Sequence, residues 1–324
     1  MRIANSSFLR VEGLRFSEGV NAADGVGGAS HDLQFVDNTF EDASYGIVVN
    51  GNGAPITRVL IEGNYFHHLD FPGTCSSGAG YAGGQGVTNY YGDGITVSHN
   101  TFKEVSWHYI QGGGASLGMM VDHNLFEGPI PPAHAACTHL NVWQIWDGGR
   151  NDTFSNNIVR GEPGKPAAVT PLMFETGAAG AECAKSMTNT TVTNNLFVYS
   201  STAYAVQILT TANLTYSHNT VVGGEYGTWL DRSDTCGPGS NLAAEHNIAV
   251  ATQSKGSPQR LIIGACTGSC AVDYNVTDDN SAQGPHSLTG WTPRWQSTSY
   301  GNAGYYIPTP GLPNPAGYEG EAGP

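Results

Sequence analysis

The chain has 324 residues, 39% of them hydrophobic, so it is long enough to bury a sizeable core. Its 27 acidic against 13 basic residues leave a formal charge of −14, which argues against attraction to nucleic acid or anionic lipid, and no apolar run is long enough to span a bilayer. Only 12% of residues are charged and 44 are glycine, a balance that suits short strands joined by tight turns rather than long helices.

The first residues, MRIANSSFLRVEGLRF, alternate like a strand and lack a basic region followed by an apolar block, so Met1 reads as an added or internal start of a mature or truncated chain. A repeat then runs through FVDNTF, IEGNYF, VSHNTF, VDHNLF, FSNNIV, VTNNLF, YSHNTV, AEHNIA and VDYNV. Its asparagines, Asn38, Asn64, Asn100, Asn124, Asn157, Asn195, Asn219, Asn247 and Asn275, are separated by 26, 36, 24, 33, 38, 24, 28 and 28 residues. VEGLRF fits the frame with Gly13 at the Asn position. Apolar residues stand three before each Asn (Phe35, Ile61, Val97, Val121, Phe154) and two after most of them (Phe40, Phe66, Phe102, Phe126, Phe197). Positions in phase stack when coils rise by about 4.8 Å each, forming an interior that one coil could not bury alone. The expected fold is all-β, a right-handed parallel β-helix of about ten coils with inserted loops. An Asn at fixed phase suits a tight bend, because Asn tolerates the left-handed region and its amide can bond the next amide along the stack. The sequons at Asn151, Asn189 and Asn213 are expected to be at most loop glycosylation sites, in a eukaryotic host.

A second strand recurs in mid-coil, in YGIVVNG, WHYIQGGG, NVWQIWDGG, PLMFETG, AVQILTT, GTWLDRSD and RLIIGA. Loops are inserted at 67–92, 128–139, 161–170 and 177–188, and such insertions cluster on the binding face of solenoids. The repeat occupies 1–276, and a Pro/Gly-rich tail at 277–324 is expected to cap the last coil within the same domain.

The six cysteines contain no CxxC pair and read as disulfides. Cys75 and Cys137 follow their Asn by 11 and 13 residues, and Cys183 and Cys236 precede theirs by 12 and 11, so we pair them in that order and join Cys266 to Cys270. Bridges point to a secreted or cell-surface, extracytoplasmic setting.

With these repeats the chain resembles the right-handed parallel β-helix proteins, the superfamily of pectate lyases, polygalacturonases and parallel-β-helix-repeat proteins. The resemblance covers roughly residues 5–277 and implies a polysaccharide bound along a groove on one sheet, without implying a reaction. The polygalacturonase-like NTD, GHG and RIK motifs are missing, as is a lyase-like arginine beside a calcium-binding aspartate cluster.

The candidate site therefore rests on the residues of two neighbouring coils, in which Gln111 and Gln144 each stand thirteen residues before an Asn and should stack. Trp107, Asn141, Trp143, Trp146, Arg150, Lys103 and Asp231 join them as candidate glycan-binding residues, because rings stack on sugar faces and amides bond hydroxyls. Candidate catalytic residues are His139, Asp147, Glu175, His108 and Tyr109. Alternation sends half of these side chains inward, so either Trp143 or Trp146 is packing, and His108 reads as structural or functional. Hydrolysis would use two carboxyl groups among Asp147, Glu175, Asp93 and Asp231. Lyase chemistry would use a base and cation from His139, Tyr109, Lys103 or Arg150, with Ca²⁺ as the possible cofactor. A neutral glycan needs no such cation, whereas a uronate must overcome the negative charge.

His99, His123, His218 and His246, each just before its Asn, read as structural residues inside the coil or at the bend. The segment HHLD, with His67, His68 and Asp70, is the metal candidate. The functional expectation is a monomeric polysaccharide lyase or glycoside hydrolase, without nucleic-acid binding or membrane insertion. The alternative is a non-catalytic glycan-binding or adhesive module.

Overall fold

In a computed structural model, the description covers residues 1–17, 26–27, 29–51, 56–70, 84–113, 116–128, 141–146, 148–161, 170–175, 187–199, 204–209, 211–223, 226–231, 239–250, 260–291, 293–299, 302, 306–309 and 317. Among the described residues there is no helix, and the strands form three parallel sheets of 10, 12 and 10 strands. Each complete coil contributes one strand to each sheet in turn, as Tyr45–Asn50, Ile56–Glu62 and Tyr65–Leu69 do in one N-terminal coil. The chain thus winds as the right-handed parallel β-helix that its repeat predicts, with ten strands in the first sheet marking its rungs.

Phase becomes packing directly. Phe40, Phe66, Phe102 and Phe126, all buried, stack at centroid distances of 5.0, 4.4 and 5.0 Å inside the coil. Ile61, Val97, Val121, Phe154 and Val192 form the facing column, in register from coil to coil and fully buried. Each core side chain is worth about 1.5–3 kcal/mol when buried, so stacked coils gain what an isolated coil could not.

The corner between the second and third sheets takes two residues, and their roles differ from the predicted ones. The left-handed residue is the one before the Asn: Asp37 (φ 51°), Gly63 (67°), His99 (55°), His123 (53°), Asn156 (55°), Asn194 (53°), His218 (55°), His246 (58°) and Tyr274 (57°). In the N-terminal coil Gly13 (φ 67°) has this role, so it is Leu14, not Gly13, that occupies the Asn position, and its N–H donates to Asn38 Oδ1 at 3.0 Å. The Asn itself turns inward and builds a ladder. Asn64 Nδ2 donates to Asn100 Oδ1 at 3.0 Å, Asn100 to Asn124 at 3.0 Å, and Asn124 to Asn157 at 3.1 Å, with the same contact repeated to Asn275. Every such Asn is buried, and its amide also satisfies backbone groups that the bend removes from the sheets.

The histidines before the Asn lie at the bend on the outside: His99 and His123 stack at 5.0 Å, and His218, His246, Tyr274 and His286 continue at 4.9, 4.8 and 4.8 Å. Two sequon asparagines, Asn189 and Asn213, lie in strands Met187–Thr193 and Thr211–Ser217 of the second sheet, and Asn151 stands at the bend between Gly149–Arg150 and Thr153–Ser155. Asn151, Asn189 and Asn213 have φ between 55° and 59°, and with Asn241 they form an exposed amide ladder at 2.7–2.9 Å.

Regular strands end at Val276–Thr277. The following chain bonds to the last coil, with Ser287 Oγ accepting from Asn275 N at 2.9 Å and Leu288 N donating to Asn275 O at 2.8 Å. It then turns back outside the third sheet, where Leu288, Trp291, Trp295 and Tyr306 pack on Val222, Ile248, Val250 and Val276, and Ile307 helps cover Leu125, Ile158 and Leu196. The Cys266–Cys270 disulfide is present; the other proposed pairs, Cys75–Cys137 and Cys183–Cys236, lie outside the described residues.

Candidate functional site

The first sheet carries the predicted site through strands His108–Gly113, Asn141–Trp146 and Leu172–Glu175. Gln111 pairs with Gln144 as the spacing predicts, and Gln144 pairs with Met173. The column continues through Gln207 to Trp229 on strands Tyr204–Leu209 and Tyr226–Asp231. Gln111 is nearly covered, with Tyr90 Oη donating to its Oε1 at 3.5 Å, whereas Gln144, Met173, Gln207 and Trp229 are half-buried.

Between the two tryptophans the structure decides clearly. Trp143 is 0% exposed, packed edge-on against Phe174 at 5.0 Å, so it belongs to the core and is withdrawn as a glycan-binding residue. Trp146, three residues on, is 41% exposed. Its indole lies across Gly113 of the preceding coil: a Cβ at Gly113 would stand 2.9 Å from Trp146 Nε1, so a glycine there lets the ring lie on the sheet.

Other predicted residues are spread by the same geometry. Tyr109 points into the core between Phe102 and Phe126, and its hydroxyl donates to the carbonyls of Glu127 and Gly128 at 3.1 and 3.0 Å. Burial pushes that phenol far above its ordinary value, and no proton can be exchanged with a ligand outside, so Tyr109 is withdrawn as a catalytic residue. His108 is fully buried against the half-buried Trp107, ring centroids 4.5 Å apart, and takes its structural reading. Asn141, opposite His108, is fully buried too, and its Nδ2 donates to Thr170 O at 2.6 Å.

Arg150 is exposed on the second sheet, where Asp93 also lies, and Lys103 stands on the third sheet opposite His67 and Glu127; neither basic residue shares the face of Gln144. Glu175 pairs with Trp146 and Asp231 with Leu209, which places their backbones on the first sheet. Nothing is described of those two side chains, and His139 and Asp147 lie outside the described residues.

An aromatic group that sequence reasoning missed completes the face. Tyr204 lies 4.9 Å from Tyr226 and 5.0 Å from Trp229, and burial followed by the neighbouring Tyr226 raises the Tyr204 phenol above its usual value. The signal was the phase of Gln207, twelve residues before Asn219 where Gln111 and Gln144 stand thirteen before theirs. Coils of unequal length blurred it by one residue.

On the third sheet, His67, His68 and Glu104 bring one ligand atom each within 4.8 Å of one another. The carboxylate comes from Glu104, one coil on, rather than from Asp70 of the predicted HHLD group. Burial and then the adjacent His68 lower the His67 imidazole below its ordinary value. Among the described residues no group of three or more carboxylates suits Ca²⁺, which takes six to eight oxygen donors.

No family model and no curated protein matches this chain. Among solved structures it is similar to PfbA, a surface adhesin of Streptococcus pneumoniae, at 13% identity and a TM-score of 0.54, over 76% of this chain and 62% of the adhesin. It is also similar to the PL6 family alginate lyase AlyGC, at 12% identity and a TM-score of 0.41, over 91% of this chain and 51% of the lyase. A mannuronic acid specific family 6 polysaccharide lyase from human gut microbiota gives 12% identity and a TM-score of 0.41, over 89% and 76%. Likeness at this identity speaks for the backbone alone: the chain is a right-handed parallel β-helix.

Proposed function

We propose that this protein is an extracytoplasmic polysaccharide-active enzyme, a lyase or glycoside hydrolase, that holds its glycan along the outer face of the first sheet. The observation that carries the reading is the outward column Gln144, Met173, Gln207 and Trp229, flanked by exposed Trp146 and by Tyr204 and Tyr226. From the coil of Trp146 to that of Trp229 is three rungs, about 14 Å at 4.8 Å each, so several sugar units would meet aromatic faces and uncharged hydrogen-bonding groups in turn. Such a lining asks for no charge on the ligand, which agrees with the net charge of −14.

For the reaction, Asp147 and Glu175 are the proposed hydrolytic carboxyl pair; the backbone of Glu175 is in register with Trp146, and Asp147 lies outside the described residues. His139 and Asp231 remain the other proposed acid–base groups. The Cys266–Cys270 disulfide supports an oxidising compartment. No helix is long and apolar enough to cross a membrane among the described residues. A non-catalytic binding or adhesive module is the second reading, favoured by the burial of His108 and Tyr109, which removes two proposed catalytic groups from the face.

The test is a panel of neutral and uronic polysaccharides, with and without Ca²⁺, read for reducing ends and for unsaturated-uronate absorbance. Reducing ends alone, abolished by Asp147→Asn or Glu175→Gln with binding kept, identify a hydrolase; both signals identify a lyase. Retention on one glycan without turnover identifies the binding module, and no retention on any member sinks the glycan reading.

A further inference from the structure

In a regular strand adjacent residues point to opposite faces, so His67 and His68 should not meet. Here they do. His68 has φ 49°, a left-handed residue within Tyr65–Leu69, and both imidazoles stand outside while Phe66 and Leu69 turn inward. Their ring centroids are 3.7 Å apart. The neighbouring coils repeat the kink at Asp42 (φ 49°) and Glu104 (φ 55°), which are aligned with His68 by the pairing of Ala43 and Val105 with Leu69. One side chain from each coil therefore projects toward the same place.

What converges there is a donor set. Glu104 Oε2 lies 3.2 Å from His67 Nε2 and in contact with His68 Nε2, and it is closed to solvent without making an aligned hydrogen bond to either. Three donors around a tetrahedral ion, with bonds of about 2.0–2.1 Å, stand roughly 3.3 Å apart, close to the His67–Glu104 separation. On the far side of the His68 ring, Asp42 Oδ1 is 3.9 Å from Nδ1, longer than a hydrogen bond but on the side from which a carboxylate can orient a metal-bound imidazole. A one-to-one ion pair does not account for this arrangement, because two imidazole nitrogens and one carboxylate oxygen converge on a single point. A divalent cation bound by two neutral imidazoles and Glu104, with Asp42 behind, gives a site of zero net charge.

We propose that His67, His68 and Glu104 form a binding site for a divalent ion of the zinc type, with Asp42 orienting His68 and a fourth position open to water. Nitrogen-rich donors of this kind select zinc and its first-row neighbours over calcium or magnesium. The site lies on the third sheet, toward the N-terminal end, and is independent of the glycan reading for the first sheet.

The experiment is isothermal titration of Zn²⁺ into chelator-stripped full-length protein, with Ca²⁺ as the contrasting ion, for the wild type and for His67→Ala, His68→Ala, Glu104→Gln and Asp42→Asn. Far-UV circular dichroism confirms that each variant keeps its sheets, and Co²⁺ titration reports coordination geometry through its visible spectrum. One Zn²⁺ per chain is expected, with saturable binding lost in the histidine variants, weakened at least tenfold in Glu104→Gln, and weakened about tenfold in Asp42→Asn. Absence of saturable Zn²⁺ binding, or binding that survives both histidine variants, overturns the proposal.

Discussion

Asn100→Ala isolates the contribution of the amide ladder. Asn100 is fully buried, and its Nδ2 donates to Ile61 O and Ser98 O at 2.9 Å each and to Asn124 Oδ1 at 3.0 Å. Its Oδ1 accepts from Asn64 N at 2.8 Å and from Asn64 Nδ2 at 3.0 Å. Alanine removes all five bonds and deprives the buried Asn64 N–H of this acceptor. Taking the five bonds at the lower end of about 0.5–1.5 kcal/mol each, and about 1 kcal/mol for the orphaned buried donor, gives a loss of about 3.5 kcal/mol or more. That is a large share of the roughly 5–15 kcal/mol that holds a typical domain folded.

The residue at 100 is not left-handed, so alanine brings no backbone strain of its own; His99 beside it carries the positive φ. Asn213→Gly is the matched control. It deletes a rung of the exposed ladder, where Nδ2 donates to Asn189 Oδ1 at 2.7 Å, and retains a residue at ease with φ 59°. Urea unfolding followed by circular dichroism should place Asn100→Ala several kcal/mol below the control, with faster amide exchange at Asn64. An Asn100→Ala protein within about 0.5 kcal/mol of Asn213→Gly would falsify the ladder argument.

Three further outcomes follow from the same geometry. Trp143→Ala should cost about 3–5 kcal/mol of stability by opening a cavity beside Phe174, whereas Trp146→Ala should leave the urea midpoint almost unchanged and reduce glycan retention about tenfold; equal effects on stability would contradict their placement. Tyr109→Phe leaves the carbonyls of Glu127 and Gly128 without its hydroxyl and should lose about 1–3 kcal/mol while turnover on any accepted glycan is unchanged, so a selective loss of turnover would return Tyr109 to the site. Asp122 is raised by burial but lowered more by hydrogen bonds from Ser155, His123 and Asn156, leaving it below the usual carboxylate range. A depressed carboxylate stabilises the fold above its unfolded value of about 3.9, and that stability is lost as pH falls through the lower folded value. The urea midpoint should therefore drop from pH 5 to pH 3, and Asp122→Asn should flatten the drop; an identical acid limb in the variant would count against it.

The fold was legible because a solenoid writes its tertiary contacts into one dimension: residues that stack recur at one phase, so the Phe40 to Phe126 column, the Asn column and the Gln111–Gln144 pair could be read without coordinates. Phase does not determine direction. The strand NVWQIW presents large apolar residues at both parities, and only the packing against Phe154 and Phe174 decided that Trp143 goes in and Trp146 stays out. Nor does it reveal where the backbone leaves the regular pleat. Left-handed residues turn His68 to the side of His67 and bring Glu104 rather than Asp70 to them. The amino-acid sequence by itself determined the column to which each residue belongs. Only the three-dimensional structure decided which way each side chain points, because that depends on a single torsion angle and on what the neighbouring coils leave room for.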